Sequence, residues 1–197
     1  MKLLLTSTGL ANEKVRNFFI DQFDRLDDKT ACVVTSGRND EEQFYVNESI
    51  KELEALGIKV TEINIAKKNE FPNLPEFDIY YVCGGNTFYI LDRMKKTGID
   101  KVLIEAVKKN KFYLGVSAGS VMAGPDIESS ELGDPNDIKL MDLSGFKFVP
   151  FIIIAHYDKK NKKDCEDFIN KRNGETVIPL TDNQAVFADK NGYEIIE

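Results

Sequence analysis

Short apolar runs alternate with helix-patterned segments through the first 123 residues, and this alternation most constrains the fold. Leu3–Thr6, Ala31–Thr35, Lys59–Ile65, Asp78–Cys83 and Phe112–Val116 are runs of the aliphatic, β-branched and aromatic residues that suit strands. Stripes at helical spacing separate them. Asn12–Leu26 carries Val15, Phe18, Phe19, Phe23 and Leu26, and Glu41–Leu56 stops at Gly57. Thr87–Lys96 and Ile99–Asn110 are divided by Thr97-Gly98, and a helix begins at Ala118–Ala123. Strand, helix, strand in this rhythm predicts an α/β fold of three layers: a mostly parallel sheet with helices on both faces.

The second half changes character. Pro125–Ser144 is polar and long for a loop. Phe148–Ala155 reads as a strand, a lysine-rich helix follows around Lys162–Lys171, and Val177–Leu180, Ala185–Ala188 and Tyr193–Ile196 read as strands. Gly192 marks the last two as an antiparallel hairpin. A proline-containing loop is expected around Phe71–Pro75. No repeat or linker divides the 197 residues, so one domain spanning 1–197 is expected.

Composition narrows the function. Acidic residues outnumber basic ones 33 to 26, for a net charge of −7 with no basic tract. Nucleic acid and anionic membrane are therefore not expected as partners. Cys32, Cys83 and Cys165 make no disulfide framework; without a CxxC pair, and with a single histidine, no metal site is expected. MKLLLTSTG is too short for a secretory apolar region, and no run reaches the length of a membrane span. The expectation is a cytoplasmic protein, monomeric or homodimeric.

Sites in open α/β sheets gather at the carboxyl ends of strands. Asp78–Cys83 delivers Gly84-Gly85-Asn86-Thr87 there, Phe112–Val116 delivers Ser117, Phe148–Ala155 delivers His156, and Val177–Leu180 delivers Thr181-Asp182-Asn183. Gly115-Val116-Ser117-Ala118-Gly119 fits the G-x-S-x-G pattern of a nucleophile elbow. Small neighbours let the backbone cross closely, and the helix that starts at Ala118 offers free N–H groups to an oxyanion. The plain alternative is a βα turn that needs small residues. Gly84-Gly85-Asn86-Thr87 offers a second oxyanion donor at Gly85, or simply a helix start capped by Asn86. It lacks the G-x-G-x-x-G and Walker patterns, so nucleotide binding is weakly supported. His156 is the only side chain whose ordinary pKa suits base work near neutrality. Its orienting acid is Asp182, or a carboxylate of the polar loop: Glu128, Glu131 or Asp134. Cys83 ends an apolar strand and reads as core.

Together these residues resemble the dipeptidase E family, the α-aspartyl dipeptidases and their cyanophycinase relatives. The matching pieces are Val82-Cys83-Gly84-Gly85-Asn86-Thr87-Phe88, Gly115-Val116-Ser117-Ala118-Gly119 with Ala123-Gly124-Pro125, and Ala155-His156-Tyr157, in the family's order. The resemblance implies a serine peptidase on a fold similar to the class I glutamine amidotransferases. It implies Ser117 as nucleophile, His156 as base, Gly85 and Ala118 as oxyanion donors, and no cofactor. It leaves two places for the acid, matched here by Asp182 and, less closely, by Glu131; Asp182 is preferred. The chain departs from the aspartyl dipeptidases after His156, where Asp158-Lys159-Lys160-Asn161-Lys162-Lys163 stands in place of a longer loop with arginine.

The leading expectation is a serine exopeptidase acting on short peptides, including dipeptides with N-terminal Asp. The alternatives are an esterase or amidase on the same triad, and a catalytically silent protein that binds a small ligand. An acidic substrate group needs a cation, because a buried unpaired carboxylate costs several kcal/mol. Arg38, just after the strand Ala31–Thr35, is the first candidate, and Asn86 is expected as a further substrate-binding residue. Lys159, Lys160, Lys162 and Lys163 are the rival cations.

Overall fold

The computed structural model describes residues 1–67, 71 and 74–197. Of the loop expected around Phe71–Pro75, Pro72 and Asn73 lie outside the described residues. The strands among the described residues are β1 (Lys2–Thr6), β2 (Thr30–Thr35), β3 (Lys59–Asn64), β4 (Ile79–Val82), β5 (Phe112–Val116), β6 (Ile152–Ile154), β7 (Val177–Pro179), β8 (Ala185–Asp189) and β9 (Gly192–Ile196). The helices are α1 (Glu13–Ile20), α2 (Asp40–Ala55), α3 (Thr87–Thr97), α4 (Ile99–Lys108), α5 (Ala118–Met122) and α6 (Lys162–Lys171). A 3₁₀ turn at Glu128–Leu132 breaks the long polar segment.

The main sheet has seven strands in the order β3-β2-β4-β5-β1-β8-β9. β3, β2, β4, β5 and β1 pair in parallel. β8 joins β1 antiparallel, and β9 closes the expected hairpin on β8. Strand alternation sends successive side chains to opposite faces. On one face Leu3, Leu5, Cys32, Val34, Tyr80 and Val82 pack with residues of α3, α4 and α5. On the other, Leu4, Val33, Ile79 and Tyr81 pack with Val15 and Phe19 of α1 and Val46 and Leu53 of α2. Leu3, Leu4 and Leu5 are wholly buried, and each such side chain contributes roughly 1.5–3 kcal/mol over an exposed one. The crossover helices thus change face between the β1–β2 half and the β4–β5 half, and the carboxyl ends of β4, β5 and β1 lie side by side at that change.

Two expected elements differ. The helix expected over Asn12–Leu26 ends at Ile20, after which Gln22 and Phe23 donate to carbonyls three residues back. The apolar spacing continues past the end because Phe23 still packs edge-on against Phe19, with ring centroids 5.3 Å apart. The strand expected over Phe148–Ala155 shrinks to Ile152–Ile154, since Pro150 has no N–H to give a ladder. That strand also lies outside the main sheet. β6 pairs in parallel with β7 alone, in a separate two-stranded sheet. Among the described residues no helix is long and apolar enough to cross a membrane. Nor do three or more His, Cys, Asp or Glu side chains gather there as a metal site would require.

Candidate active site

Ser117 sits between the end of β5 and the start of α5 with φ 50° and ψ −109°. A residue with a Cβ rarely adopts such angles, which cost about 1–3 kcal/mol. The strain persists because the chain is pinned on both sides. Ser117 N–H donates to the Thr6 carbonyl at 2.9 Å. Ser120, wholly buried, accepts from Thr6 N–H at 2.8 Å, and its hydroxyl lies 2.7 and 2.8 Å from the carbonyls of Thr6 and Gly115. The elbow glycines are required by close crossing. A Cβ on Gly119 would stand 2.3 Å from the Val82 carbonyl oxygen, and one on Gly115 2.7 Å from the Gly119 backbone.

His156 follows the β6 end, and Asp182 follows the β7 end. His156 Nδ1 lies 2.7 Å from Asp182 Oδ1, and His156 Nε2 lies 3.0 Å from Ser117 Oγ. An ionised carboxylate only accepts, so Nδ1 carries the proton and Nε2 of the neutral ring accepts from the serine hydroxyl. Both ring nitrogens are then committed. Glu131, the alternative acid, lies exposed in the 3₁₀ turn and makes neither of these contacts. Asp134 faces α3 instead, accepting from the Thr87 N–H and hydroxyl at 2.8 and 2.7 Å. Glu128 pairs with Arg172 at 2.6 Å. The site is open to solvent: the His156 side chain is 50% exposed and that of Asp182 60%.

The Gly84-Gly85 turn passes directly beside the serine. A Cβ on Gly84 would come within 3.2 Å of Ser117 Cβ. Gly85 has φ 130° and borders Ser36 and Glu42. Ala118 is the first residue of α5, so its N–H has no acceptor within the helix. Asn86 is engaged at both ends of its amide, its oxygen accepting from Tyr89 N–H at 2.9 Å and its nitrogen donating to the Pro135 carbonyl at 2.9 Å. Cys83 is a buried thiol whose pKa burial pushes up, which fits a core residue and not a nucleophile.

Arg38 lies at the carboxyl end of β2. Its Nε and one terminal nitrogen donate to Glu42 Oε1 at 3.1 and 2.9 Å, and the guanidinium stacks 4.6 Å above the Tyr89 ring. Burial alone would raise the Glu42 carboxyl. Hydrogen bonds from the Arg38 side chain and N–H and from Ser36 outweigh it, and the net pKa is lowered. Lys159, Lys160, Lys162 and Lys163 are all exposed.

Some positions that hold the site carry no motif. Ser7 and Thr8, at the end of β1, bond to the His156 and Asp182 segments. Asn161 bonds to the His156 carbonyl, and Glu42 holds Arg38. The signal that points to Ser7 and Thr8 is the strand-end rule itself, applied to the first strand.

Known proteins resemble this chain in sequence and in fold. The uncharacterized peptidase Lmo0363 of Listeria monocytogenes serovar 1/2a is 31% identical over 202 residues, covering 98% of this chain and 96% of its own. Peptidase E of Streptomyces coelicolor is 36% identical over 87 residues, 43% of this chain and 34% of that protein. Among solved structures, a 1.5 Å crystal structure of a Listeria monocytogenes EGD-e protein assigned to peptidase E superimposes with a TM-score of 0.82. It is 27% identical and covers 98% of this chain and 96% of its own. A peptidase from an acI-B1 Actinobacterium, 16% identical with a TM-score of 0.75, shares the fold. The family model for Peptidase family S51 matches residues 3–196, so this chain, with its elbow serine at the strand ends of an α/β sheet, belongs to the S51 serine peptidases and is peptidase E-like.

Proposed function

We propose that this peptidase is an exopeptidase that cleaves short peptides through an acyl-enzyme formed on Ser117, with His156 as base and Asp182 as the orienting acid. The observation that carries the reading is the continuous line from Asp182 through His156 to Ser117, with contacts of 2.7 and 3.0 Å. In this mechanism Ser117 Oγ attacks the peptide carbonyl while His156 Nε2 takes its proton. The imidazolium is stabilised by Asp182 and returns the proton to the leaving amine. Water, activated by the same imidazole, then releases the acyl group. The N–H groups of Gly85 and Ala118 stabilise the oxyanion; one such donor is worth about 10²–10³ in kcat.

The substrate reading is a peptide with an acidic N-terminal side chain. Arg38 supports it: one edge of the guanidinium is fixed by Glu42, and Nη1 has no partner among the described residues. A guanidinium held over the Tyr89 ring with one edge open suits a carboxylate. The test is hydrolysis of a panel of Asp-X, Glu-X and neutral dipeptides, with Ser117→Ala as control. Cleavage of Asp-X peptides by the wild type alone is the expected result. Turnover by Ser117→Ala would remove the nucleophile. Cleavage of acyl esters but of no peptide would move the reading to an esterase.

A further inference from the structure

His156 is held in the left-handed region, with φ 57°, where a residue with a Cβ is disfavoured. The peptide groups on both sides of it are fixed by side chains from other segments. Ser7 Oγ accepts from His156 N–H at 3.0 Å. Asn161 Nδ2 donates to the His156 carbonyl at 2.8 Å, while its Oδ1 accepts from Asp158 N–H at 2.9 Å. Ser7 also donates to the Leu180 carbonyl at 3.1 Å, the same carbonyl that Tyr157 N–H reaches at 2.9 Å. Leu180 stands two residues before Asp182, and Thr8 Oγ1 donates to the Asp182 carbonyl at 2.8 Å. Ser7 is 2% exposed. Its single hydroxyl therefore joins the main sheet to both segments of the small sheet that carry the imidazole and the carboxylate.

We infer that Ser7 and Asn161 are positioning residues that fix the His156 backbone in its left-handed conformation and so aim the imidazole at Ser117. The direction of the Cα–Cβ bond follows φ and ψ, so relaxation of His156 to an extended conformation swings the ring away from the serine. A displacement of about 1 Å costs on the order of 10²-fold in rate. Among the described residues the small sheet has no hydrogen-bonded ladder to β1, and Ser7 bridges that gap with its side chain. The inference rests on the reading of His156 as base, and the experiment separates the two.

His156 is the only histidine, so imidazole ¹⁵N shifts of the labelled full chain need no assignment. They report the tautomer directly. They are compared with kcat and KM on the best peptide of the dipeptide panel for wild type, Ser7→Ala, Asn161→Ala and the remote core variant Val33→Ala. The wild type gives the Nδ1–H tautomer. Ser7→Ala moves the ring toward a tautomer mixture and lowers kcat by roughly 30-fold or more, with KM changed less than about 3-fold. Asn161→Ala, at a partly exposed turn that does not threaten the fold, shifts the ring in the same direction with a loss of about 10-fold. Val33→Ala lowers the melting temperature without moving the ring. A wild-type tautomer and kcat in both Ser7→Ala and Asn161→Ala overturn the inference, as does a tautomer mixture in the wild type itself. A ring held through Ser7 in a protein that hydrolyses no peptide leaves the inference standing and removes the proposed function.

Discussion

Ser117 is half-buried and strained, and the roles of its hydroxyl and its backbone can be measured apart. Ser117→Ala keeps the unfavourable φ and ψ and removes the hydroxyl, so hydrolysis should fall by about 10⁴-fold or more. Ser117→Gly also removes the hydroxyl but relieves the backbone. It should be more stable than Ser117→Ala by about 1 kcal/mol in urea unfolding, because glycine accepts φ 50° without a Cβ clash. Equal stability of the two variants would show that the elbow is not strained. The orienting acid is equally separable. Asp182→Asn should lower kcat by roughly 10²–10⁴-fold, because it disturbs the one tautomer that fits both ring contacts. Glu131→Gln should change kcat less than about 3-fold, since both imidazole nitrogens are already committed elsewhere; the reverse ranking of the two variants defeats the assignment. Ser117 and His156 were legible in the sequence because one sits in a glycine pattern and the other has no rival. Asp182 was one carboxylate among several. Ser7 carried no signal beyond its place after a strand, because a serine that bonds backbone far away in sequence looks like any loop serine.

At the scale of elements, alternation of apolar runs and helical stripes was enough to give five parallel strands and their helices. It did not give the order β3-β2-β4-β5-β1-β8-β9, because periodicity reports which face of a strand is buried and not which strand lies beside it. Nor did it separate β6 and β7 from the main sheet; FVPFIIIA reads as a buried strand wherever it pairs. The elbow itself is the element most sensitive to volume. Gly119→Ala places a Cβ 2.3 Å from the Val82 carbonyl oxygen, a backbone atom that cannot rotate away. It should destabilise by about 2–4 kcal/mol and abolish activity. Gly133→Ala meets no atom within 4 Å and should stay within about 0.5 kcal/mol of wild type. Urea unfolding of both variants checks the contrast, and a Gly119→Ala protein as stable as the wild type would refute the crossing argument. The junction of β2 and α2 adds a pH dependence. The folded Glu42 carboxyl titrates below its unfolded value, so the folded state binds fewer protons there. Its contribution is full above the ordinary carboxylate range and is lost as pH falls through the lowered folded value. The stability difference between wild type and Glu42→Gln should therefore be largest near neutrality and shrink on acidification. A difference that grows toward low pH would reverse the assigned sign.

Taken as a whole, the molecule carries a net charge of −7, which repels an acidic peptide at long range. Any preference for such a peptide must come from a cation close to the cleft, and salt can identify which one. The Debye length is about 10 Å at 0.1 M and falls to roughly 4 Å at 0.5 M, so exposed charges lose most of their reach over that range. Lys159, Lys160, Lys162 and Lys163 are exposed and on flexible stems. A preference built on them should fade as salt rises. The Arg38 side chain is 36% exposed, is fixed by Glu42 and lies over the Tyr89 ring. A contact made by that guanidinium is short, has two hydrogen bonds and is screened far less. The measurement is the ratio of kcat/KM for Asp-Leu to that for Asn-Leu, taken at about 0.02 M and 0.5 M NaCl. For wild type the ratio should be at least about 10 and change less than about 3-fold with salt. In Arg38→Ala it should collapse toward unity at both salt concentrations. A ratio that survives Arg38→Ala but falls steeply with salt transfers recognition to the lysines after His156. A wild-type ratio near unity at low salt removes acidic specificity altogether, while leaving the contacts from Asp182 through His156 to Ser117 untouched.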